Sequence, residues 1–415
     1  MVSWIAAQAT FEQTTRDLAS PDPNVRLRAV QLLKGAAYPE AAVPLAKLVT
    51  DQDDDVQLEA IAAELNVFLA EKIIPRKRVG FVIEVRNKIS AEAAFSAGPT
   101  ALGPRSVPME VLVALRTAAR DNNPRVGLEA LYAFGALAPS ANGPERGALL
   151  QATGPELAAM MGAPDPALRF AALRVLERVF ERRRPDTAIE TDVGDAVITA
   201  LNEKDRGIRV TAIRSLGAMR YERAVQALTE LYQYYGKGGV GEAALDALAR
   251  IAHASNAPLF SAALAGKNSA LKGIAIEGLA RLGDKSQAGA IQAALAGENN
   301  EGVQLAGSFA AVLLSGGSLD PLTDKLRRPK LRDQAWQYLV EAAPGRTAAF
   351  GRYAQDPDAL MRADIADILG FAGDPAALPI VEPMTKDGDR QVALAAQRAV
   401  ARLQGVVPLF QGVKN

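Results

Sequence analysis

The sequence predicts an all-α solenoid, an α-α superhelix of roughly eleven stacked helix hairpins. A short pattern recurs ten times along the 415 residues: a turn with Asp, Asn or Pro, an aliphatic residue, often a basic residue, then alanines and leucines at helical spacing. In the C-terminal half the copies are about 30 residues apart, the length of one helix hairpin with its turns. Aromatic residues make up only 5% of a chain that is 49% hydrophobic, which favours closely packed helices over β-sandwiches.

Each copy of the pattern begins at a turn whose chemistry suits the start of a helix. The copies begin at Asp22, Asp53, Asn122, Asp165, Asp205, Asn268, Asn299, Pro329, Asp358 and Asp389. Their side-chain oxygens can accept hydrogen bonds from the free amides of a helix N-terminus, and proline fits the first helical turn. Second apolar helices fill the intervals, for example from Ala224 and Ala288. Because one hairpin cannot bury both of its faces, stacked neighbours must supply one continuous core.

The D-x-x-V-R signature, seen from Asp22 to Arg26, and the turn Leu282-Gly283-Asp284 resemble the HEAT-repeat family, particularly its short bacterial, lyase-associated form. The resemblance covers nearly the whole chain and implies a right-handed superhelix. It also implies that the repeated basic residue bonds along the stack to the turn aspartate of a neighbouring repeat. The arginines at this position are therefore interpreted as structural: Arg26, Arg169, Arg209, Arg332 and Arg362.

A glycine run at 236–241 is similar to the start of a phosphate loop, K-G-G-x-G-K-[ST]. Two observations argue against nucleotide binding there. The preceding segment has helical spacing rather than that of a buried strand, and Glu242-Ala243 replaces the required Lys-Ser/Thr pair. Val240 aligns with Ile208 of the preceding copy, so the glycines are predicted to form a turn between two helices.

Composition narrows the chemistry further. The chain has no cysteine and a single histidine, His253, so thiolate nucleophiles, disulfides and all-histidine metal clusters are excluded. His253 lies near a predicted helix end and is interpreted as a capping or partly exposed residue. No G-x-S-x-G sequence supports a serine hydrolase. We therefore assign no catalytic, cofactor-binding or metal-binding residue and expect no cofactor.

Three insertions interrupt the repeat in the N-terminal half, at 74–108, 138–155 and 181–194. The first is long and irregular and lies in the second repeat. We therefore predict one continuous solenoid with N-terminal HEAT repeats at 1–195 and regular C-terminal repeats at 196–415. Because equivalent connections in a solenoid lie along one edge, the insertions are expected to be neighbours, on a face that often binds partners.

These insertions are rich in cations, which form the candidate partner-binding residues. They are Arg76, Lys77, Arg78, Arg86, Lys88, Arg105, Arg182, Arg183 and Arg184. A basic ridge of this kind can receive an acidic protein segment, a phosphate group or nucleic acid. The alternative is a solvated loop whose charges pair with nearby acidic residues.

The sequence favours a non-enzymatic scaffold that binds a protein partner through an extended curved surface and this basic ridge. Two other functions stay open, a nucleic-acid or phosphate binder and an accessory module of a separate enzyme, as lyase-associated HEAT proteins are. Lysine plus arginine equals aspartate plus glutamate at 47 each, so no global basic field supports nucleic-acid binding.

No stretch of about 18 apolar residues predicts a membrane span. Ala7-Gln8-Ala9 weakly resembles the end of a secretory signal, so the compartment is open between cytoplasm and export. The oligomeric state is open as well.

Overall fold

A computed structural model of the chain describes residues 11–70, 90–140, 154–180 and 191–404. These residues are α-helical, with short 3-10 turns and one isolated antiparallel bridge between Leu69 and Leu102. The chain divides into two compact units, Met1–Glu145 and Arg146–Asn415. This division lies inside the second predicted insertion, whereas the sequence predicts a change of regularity after residue 195.

The first unit contains seven α-helices among its described residues. They are α1 Phe11–Asp17, α2 Pro23–Ala36, α3 Ala42–Ala46, α4 Asp54–Phe68, α5 Ala91–Ala97, α6 Met109–Ala118 and α7 Pro124–Leu137. The helices that follow the recurring turns, here called repeat helices, are α2, α4 and α7 in this unit. They pack in sequence, α2 on α4 and α4 on α7.

The second unit is a longer stack of the same kind. Its described helices are α8 at 154–160, α9 Pro166–Phe180, α10 Thr191–Thr199, α11 Arg206–Met219, α12 Val225–Tyr235, α13 Gly239–Ile251, α14 Ala257–Leu264, α15 Ser269–Leu282, α16 Ala288–Leu295, α17 Glu301–Ser315, α18 Asp320–Thr323, α19 Arg332–Ala342, α20 Ala359–Ala372, α21 Leu378–Met384 and α22 Arg390–Gln404. The repeat helices α9, α11, α13, α15, α17, α19, α20 and α22 each pack on the next. The buried core is mostly alanine, leucine, isoleucine and valine from these helices.

The helix caps confirm the turn chemistry expected from the sequence. The Asp22 carboxylate accepts from the Asn24 amide at 2.9 Å, and Asp205 accepts from the Ile208 amide at 2.9 Å. Asn268 caps α15 in the same way. Each cap satisfies an amide that has no partner within its helix, which fixes where the repeat helix begins.

The repeated arginines are structural, as the resemblance implies. Arg26 donates to both oxygens of Asp51 at 2.8 and 2.7 Å and to the carbonyls of Ser20 and Pro21. Asp51 in turn accepts from the Asp53 amide at 2.9 Å, so the arginine fixes the turn that starts the next repeat helix.

The other repeated arginines follow this plan with variations. Arg362 donates to both oxygens of Asp387, and Arg169 donates to Glu203. Arg332 reaches Asp364 on α20 rather than a turn residue, and Arg209 bonds the Tyr235 hydroxyl. Bidentate arginine–carboxylate contacts add geometric specificity, so they hold successive repeats in register.

The C-terminal half is less regular than the sequence predicts. Where the second helices of two hairpins are expected, the chain forms short segments: α18 with the 3-10 turn Asp324–Arg327, and the 3-10 turns Thr347–Phe350 and Tyr353–Gln355. Gly345 and Gly351 flank the turn Thr347–Phe350. Glycine is a poor helix former, so these positions favour short turns over a continuous helix.

Candidate functional site

Most of the predicted basic ridge lies outside the described residues. This applies to Arg76, Lys77, Arg78, Arg86 and Lys88 in 71–89 and to Arg182, Arg183 and Arg184 in 181–190. Arg105 is the one predicted ridge residue within the described part, and its side chain is exposed. The ridge thus stays a prediction, with one member placed on the surface.

The described end of the first insertion is more ordered than an irregular loop. The Ser90 hydroxyl caps α5, and the Ala91 amide donates to the Glu129 carboxylate of α7 at 2.8 Å. The Gly103 amide donates to the Phe68 carbonyl at 2.8 Å, which ties the segment to the end of α4. The small side chains of α5 let it pack against α7. Likewise, residues 191–194, the last four of the third predicted insertion, already belong to α10.

The glycine run is a turn between two helices, as predicted. Gly236 and Gly238 adopt φ angles of 62° and 81°, a region that favours glycine, and they join α12 to α13. A helix precedes the turn where a phosphate loop requires a strand, and Glu242 lies in the first turn of α13. Nothing in this geometry supports a phosphate cradle.

The single histidine is a capping residue, also as predicted. His253 is exposed and precedes the 3-10 turn Ala254–Asn256. Its Nδ1 lies 2.7 Å from the Ser255 hydroxyl and accepts from the Ser255 amide at 3.3 Å. Among the described residues no group of three or more His, Asp or Glu side chains is arranged to hold a metal ion.

The structure reveals a row of charged side chains that the sequence reading missed. It runs along one face of the second unit's repeat helices, mostly as pairs four residues apart, which places both members on one helix face. This charged row comprises Asp246 and Arg250 on α13, Glu277 and Arg281 on α15, Glu341 on α19, Asp367 on α20, and Arg398 and Arg402 on α22. Aligning the repeats in register and comparing these positions would have found it.

Arg281 is the centre of the first part of the charged row. It donates to both oxygens of Glu341 at 2.8 and 3.0 Å and to Glu277 at 3.0 Å. The Tyr338 hydroxyl donates to Glu277, and the Tyr338 ring stacks on Phe309 at 4.3 Å. Side chains of α15 and α19 therefore meet across α17, which requires these helices to approach one another on this face.

Burial shapes the protonation of this cluster. The Arg281 side chain is only 6% exposed. Burial raises the pKa of Glu277 above its usual value, in spite of the neighbouring Arg281 charge. Burial also acts to raise the pKa of Glu341, but the charge and hydrogen bonds of Arg281 outweigh it and hold that pKa below the usual value. The Arg281–Glu341 pair is therefore ionised, while Glu277 is the carboxyl that accepts a proton more readily.

The second part of the row joins α20 to α22. Arg398 donates to both oxygens of Asp367 at 3.2 and 2.7 Å, and both side chains are 8% exposed. Arg402 lies over the Phe371 ring at 3.9 Å, and the same ring packs edge-on against Trp336 at 5.3 Å. Trp336 of α19 thus packs against Phe371 of α20.

Asp364 lies beside this second cluster and is the most perturbed carboxyl there. Its Oδ1 accepts from Arg332, but its buried Oδ2 has no hydrogen-bond partner. Burial raises the pKa of Asp364 to about 6, with Arg332 acting in the opposite direction. Between about pH 4 and pH 6, folding therefore favours the protonated form of Asp364.

We expect a pH-dependent stability term from Asp364. The folded protein binds this proton more tightly than the unfolded chain, so the stabilisation is complete below about pH 4 and is lost as the pH rises through about 6. Urea unfolding between pH 4 and pH 7 should show the wild type losing up to about 3 kcal/mol more than Asp364→Asn. The exposed Asp333→Asn variant is the control and should keep the wild-type slope; equal slopes for all three proteins would contradict the assignment.

The first unit also contains a buried carboxyl, and this one has no hydrogen-bond partner. Both Glu64 oxygens on α4 are buried without a hydrogen-bond partner in the structure. Burial raises the pKa of Glu64 well above its usual value. Such a group is carried in its neutral form rather than as a buried charge.

The side chains of the charged row form their hydrogen bonds mainly with one another. Its carboxylates face arginines of the same or neighbouring helices, so few of their hydrogen-bonding positions are free for a substrate. This arrangement specifies packing between repeats and does not assemble a nucleophile beside a base.

Comparisons with known proteins add a family match. Residues 154–235 match the family model of HEAT repeats. No curated protein sequence matches the chain. No described helix has the length and apolar character that a membrane crossing needs.

The solved structures found to be similar to the chain have low sequence identity to it. An engineered protein is 19% identical, with a TM-score of 0.44, over 95% of this chain and 98% of its own. Kap95p, solved with RanGDP, is 16% identical with a TM-score of 0.34, over 95% of this chain and 50% of its own. An armadillo repeat protein designed for modular peptide recognition is 18% identical with a TM-score of 0.39, over 58% of this chain and 99% of its own.

Proposed function

We propose that this chain, whose residues 154–235 match the family model of HEAT repeats, is a non-enzymatic scaffold that binds a protein partner. The observation that carries this proposal is the long stack of the second unit, in which each repeat helix packs on the next. Repeat stacks of this type use such surfaces for extended binding because many shallow contacts add together.

The shape of the described surface supports binding over catalysis. Two pockets of about 510 and 430 Å³ lie between neighbouring turns and helices of the second unit, and both are open to solvent. The charged row engages its own members, and His253 caps a turn. A scaffold, unlike an enzyme, does not need the side chains of the charged row or His253 to be available for a substrate.

We further propose that the basic insertions at 74–108, 138–155 and 181–194 contribute to binding an acidic partner. Their cations outnumber their acidic residues in the first insertion, and Arg105 is exposed. Charge complementarity of this kind steers association and fixes orientation.

Charge reversal in the first insertion tests the proposal. The triple variant Arg76→Glu, Lys77→Glu and Arg78→Glu should abolish capture of the partner from the native host, because it places like charges against an acidic surface. Partners would be identified by mass spectrometry after affinity purification, with circular dichroism melts to show that the variant folds.

A charge-matched variant supplies the control. Arg28→Glu, Lys47→Glu and Lys285→Glu reverse three exposed cations outside the insertions and should leave the captured partner unchanged. Identical partners for both triple variants would overturn the role of the insertion. Capture of nucleic acid with a steep salt dependence would favour the nucleic-acid alternative instead.

A further inference from the structure

The turns that precede the repeat helices of the second unit lie side by side. Hydrogen bonds and ion pairs connect most of these turn regions to the next: Arg169 reaches Glu203, Arg209 reaches Tyr235, Lys272 reaches Glu298, Lys325 reaches Glu301, Arg327 reaches Asp356, and Arg362 reaches Asp387. Together with the packing of each repeat helix on the next, these contacts place the turns before α11, α13, α15, α17, α19, α20 and α22 along one border of the stack, here called the turn edge.

Four acidic residues on the turn edge have internal partners. Glu203 pairs with Arg169, and Glu298 pairs with Lys272 while accepting from the Asn300 amide at 3.0 Å. Asp205 caps α11, and Asp387 binds Arg362. Their negative charges take part in contacts that hold the repeats together.

Several cations on the same edge have no such partners. Within the described residues, six exposed cations in or beside these turns make no ion pair or side-chain hydrogen bond: Lys204, Arg206, Lys237, Lys267, Arg328 and Lys330. The turn edge therefore presents positive charge that the fold itself does not use.

An aromatic pair lies near one end of this positive border. The Tyr234 side chain is 83% exposed, and its ring packs edge-on against Tyr235 at 4.9 Å. Arg209 binds the Tyr235 hydroxyl, which orients the pair. Exposed tyrosine beside arginine is typical of the residues that carry binding energy at protein interfaces.

Gly239 leaves room for a cation beside these rings. A Cβ atom at Gly239 would lie 2.7 Å from a guanidinium nitrogen of Arg206. Glycine therefore lets the Arg206 side chain lie against the turn before α13. The glycine run thus lets a cation lie against the turn that follows the exposed aromatic pair.

A pocket lies farther along the same edge. The space of about 430 Å³ between α17 and the segment after it is lined by Lys325, Arg327 and Arg328, with Leu305 on its apolar side. Asp324 is the one carboxylate among its lining residues. The pocket suits an acidic side chain that carries some apolar surface.

The spacing of these features sets the size of the ligand. From α13 to α19 there are three steps between neighbouring repeat helices, each about 8–10 Å, or about 30 Å in total. An extended peptide rises about 3.3 Å per residue, so roughly nine residues connect Tyr234 to Arg328.

We propose that the turn edge is the docking surface for an extended acidic peptide segment of the partner protein, with Tyr234 contacting an apolar residue of that segment. This inference rests on the proposed scaffold function and names a different surface from the basic insertions. A peptide fits better than nucleic acid because the cations are separated by helix spacings and, among the described residues of the turn edge, Tyr234 is the one strongly exposed aromatic side chain.

Fluorescence polarisation with a labelled peptide of about ten glutamates, with one leucine near its centre, tests the docking surface. The full chain should bind this peptide. The variant Lys237→Glu, Lys267→Glu, Arg328→Glu and Lys330→Glu should bind it at least about tenfold more weakly. The charge-matched variant Arg28→Glu, Lys47→Glu, Arg125→Glu and Lys285→Glu should bind like the wild type. Tyr234→Ala should weaken binding of the leucine-containing peptide more than binding of an all-glutamate peptide.

Zero-length carbodiimide cross-linking then locates the peptide independently of any substitution. Amide bonds between peptide carboxylates and lysine amines, mapped by mass spectrometry, should concentrate at Lys204, Lys237, Lys267 and Lys330. Cross-links concentrated at Lys77 and Lys88 would overturn the turn edge and leave the scaffold function with its basic insertions.

The remaining outcomes are also decisive. Equal binding by the edge variant and its charge-matched control would overturn the docking surface, and so would failure of the wild type to bind the peptide. Neither result touches the scaffold function, which the capture experiment tests separately. Tighter binding of a labelled ten-nucleotide thymidine strand, lost steeply with salt, would overturn both.

Discussion

Replacing Glu341 with alanine should lower the free energy of unfolding by about 3–5 kcal/mol. Glu341 accepts two hydrogen bonds from Arg281, at 2.8 and 3.0 Å, and the Arg281 side chain is 6% exposed. Without Glu341 the guanidinium stays buried with only Glu277 as an acidic partner. Burial is costly for a charge that lacks compensation, so the loss exceeds what the ion pair itself contributes.

Chemical denaturation followed by circular dichroism measures this loss. The control is Glu301→Ala, since Glu301 is 60% exposed and meets Lys325 only at 3.4 Å. We expect the control to change stability by roughly 0–1 kcal/mol. In the double variant Arg281→Met and Glu341→Leu, the loss should be smaller than the sum of the two single losses, because both charges are removed together. Additive losses would contradict a coupled pair.

Adding one methyl group at Gly370 should also destabilise the protein, by about 1–3 kcal/mol. A Cβ atom there would lie 2.6 Å from the Cα and 2.8 Å from the Cβ of Ala399, so α20 would have to move away from α22. The clash is with backbone, which cannot rotate aside as a side chain can. Gly370→Ala therefore tests whether small residues set the distance between repeat helices.

Gly289→Ala is the matched helical control. A Cβ atom at Gly289 in α16 meets nothing within 4 Å. Stability should stay unchanged or rise by up to about 1 kcal/mol, because alanine is the better helix former. Comparable destabilisation by both substitutions would show that close approach is not the cause at Gly370.

Local chemistry explains why the fold could be predicted from the sequence. Asp22 and Asp205 cap helices through side chains that lie two or three residues from the amides they bind. The glycine turn at 236–238 likewise follows from its own residues. The position of Arg362 relative to its helix start recurs in several copies, so its contact with a neighbouring turn was implied by the family resemblance. These interactions repeat once per hairpin, which makes them visible in a single chain.

The charged row could be predicted only in part. Glu277 and Arg281 are four residues apart in the sequence, so their shared helix face is readable from it. The choice of Glu341 as the second partner of Arg281 is not, because it depends on how closely α15 approaches α19 across α17. The perturbed pKa of Asp364 has the same origin, since burial by neighbouring helices decides it.

The turn edge was hidden for a different reason. Lys237 and Lys267 are isolated cations in the sequence, while Arg76, Lys77 and Arg78 form a conspicuous cluster. Stacking of the repeats brings the isolated cations onto one border. Several acidic side chains on that border already pair with other residues of the chain. The clustering of cations in the sequence therefore indicates the insertions as a binding surface, whereas the stacking of the repeats indicates the turn edge as a second one.

Affinity purification from the native host, with the wild type and the two triple variants as parallel baits, tests the central claim most directly. Mass spectrometry should find a protein partner with the wild type and with the variant Arg28→Glu, Lys47→Glu, Lys285→Glu. That partner should be absent with Arg76→Glu, Lys77→Glu, Arg78→Glu. Recovery of nucleic acid without a protein partner, or of one unchanged protein set on all three baits, would contradict a scaffold that binds through its basic insertions.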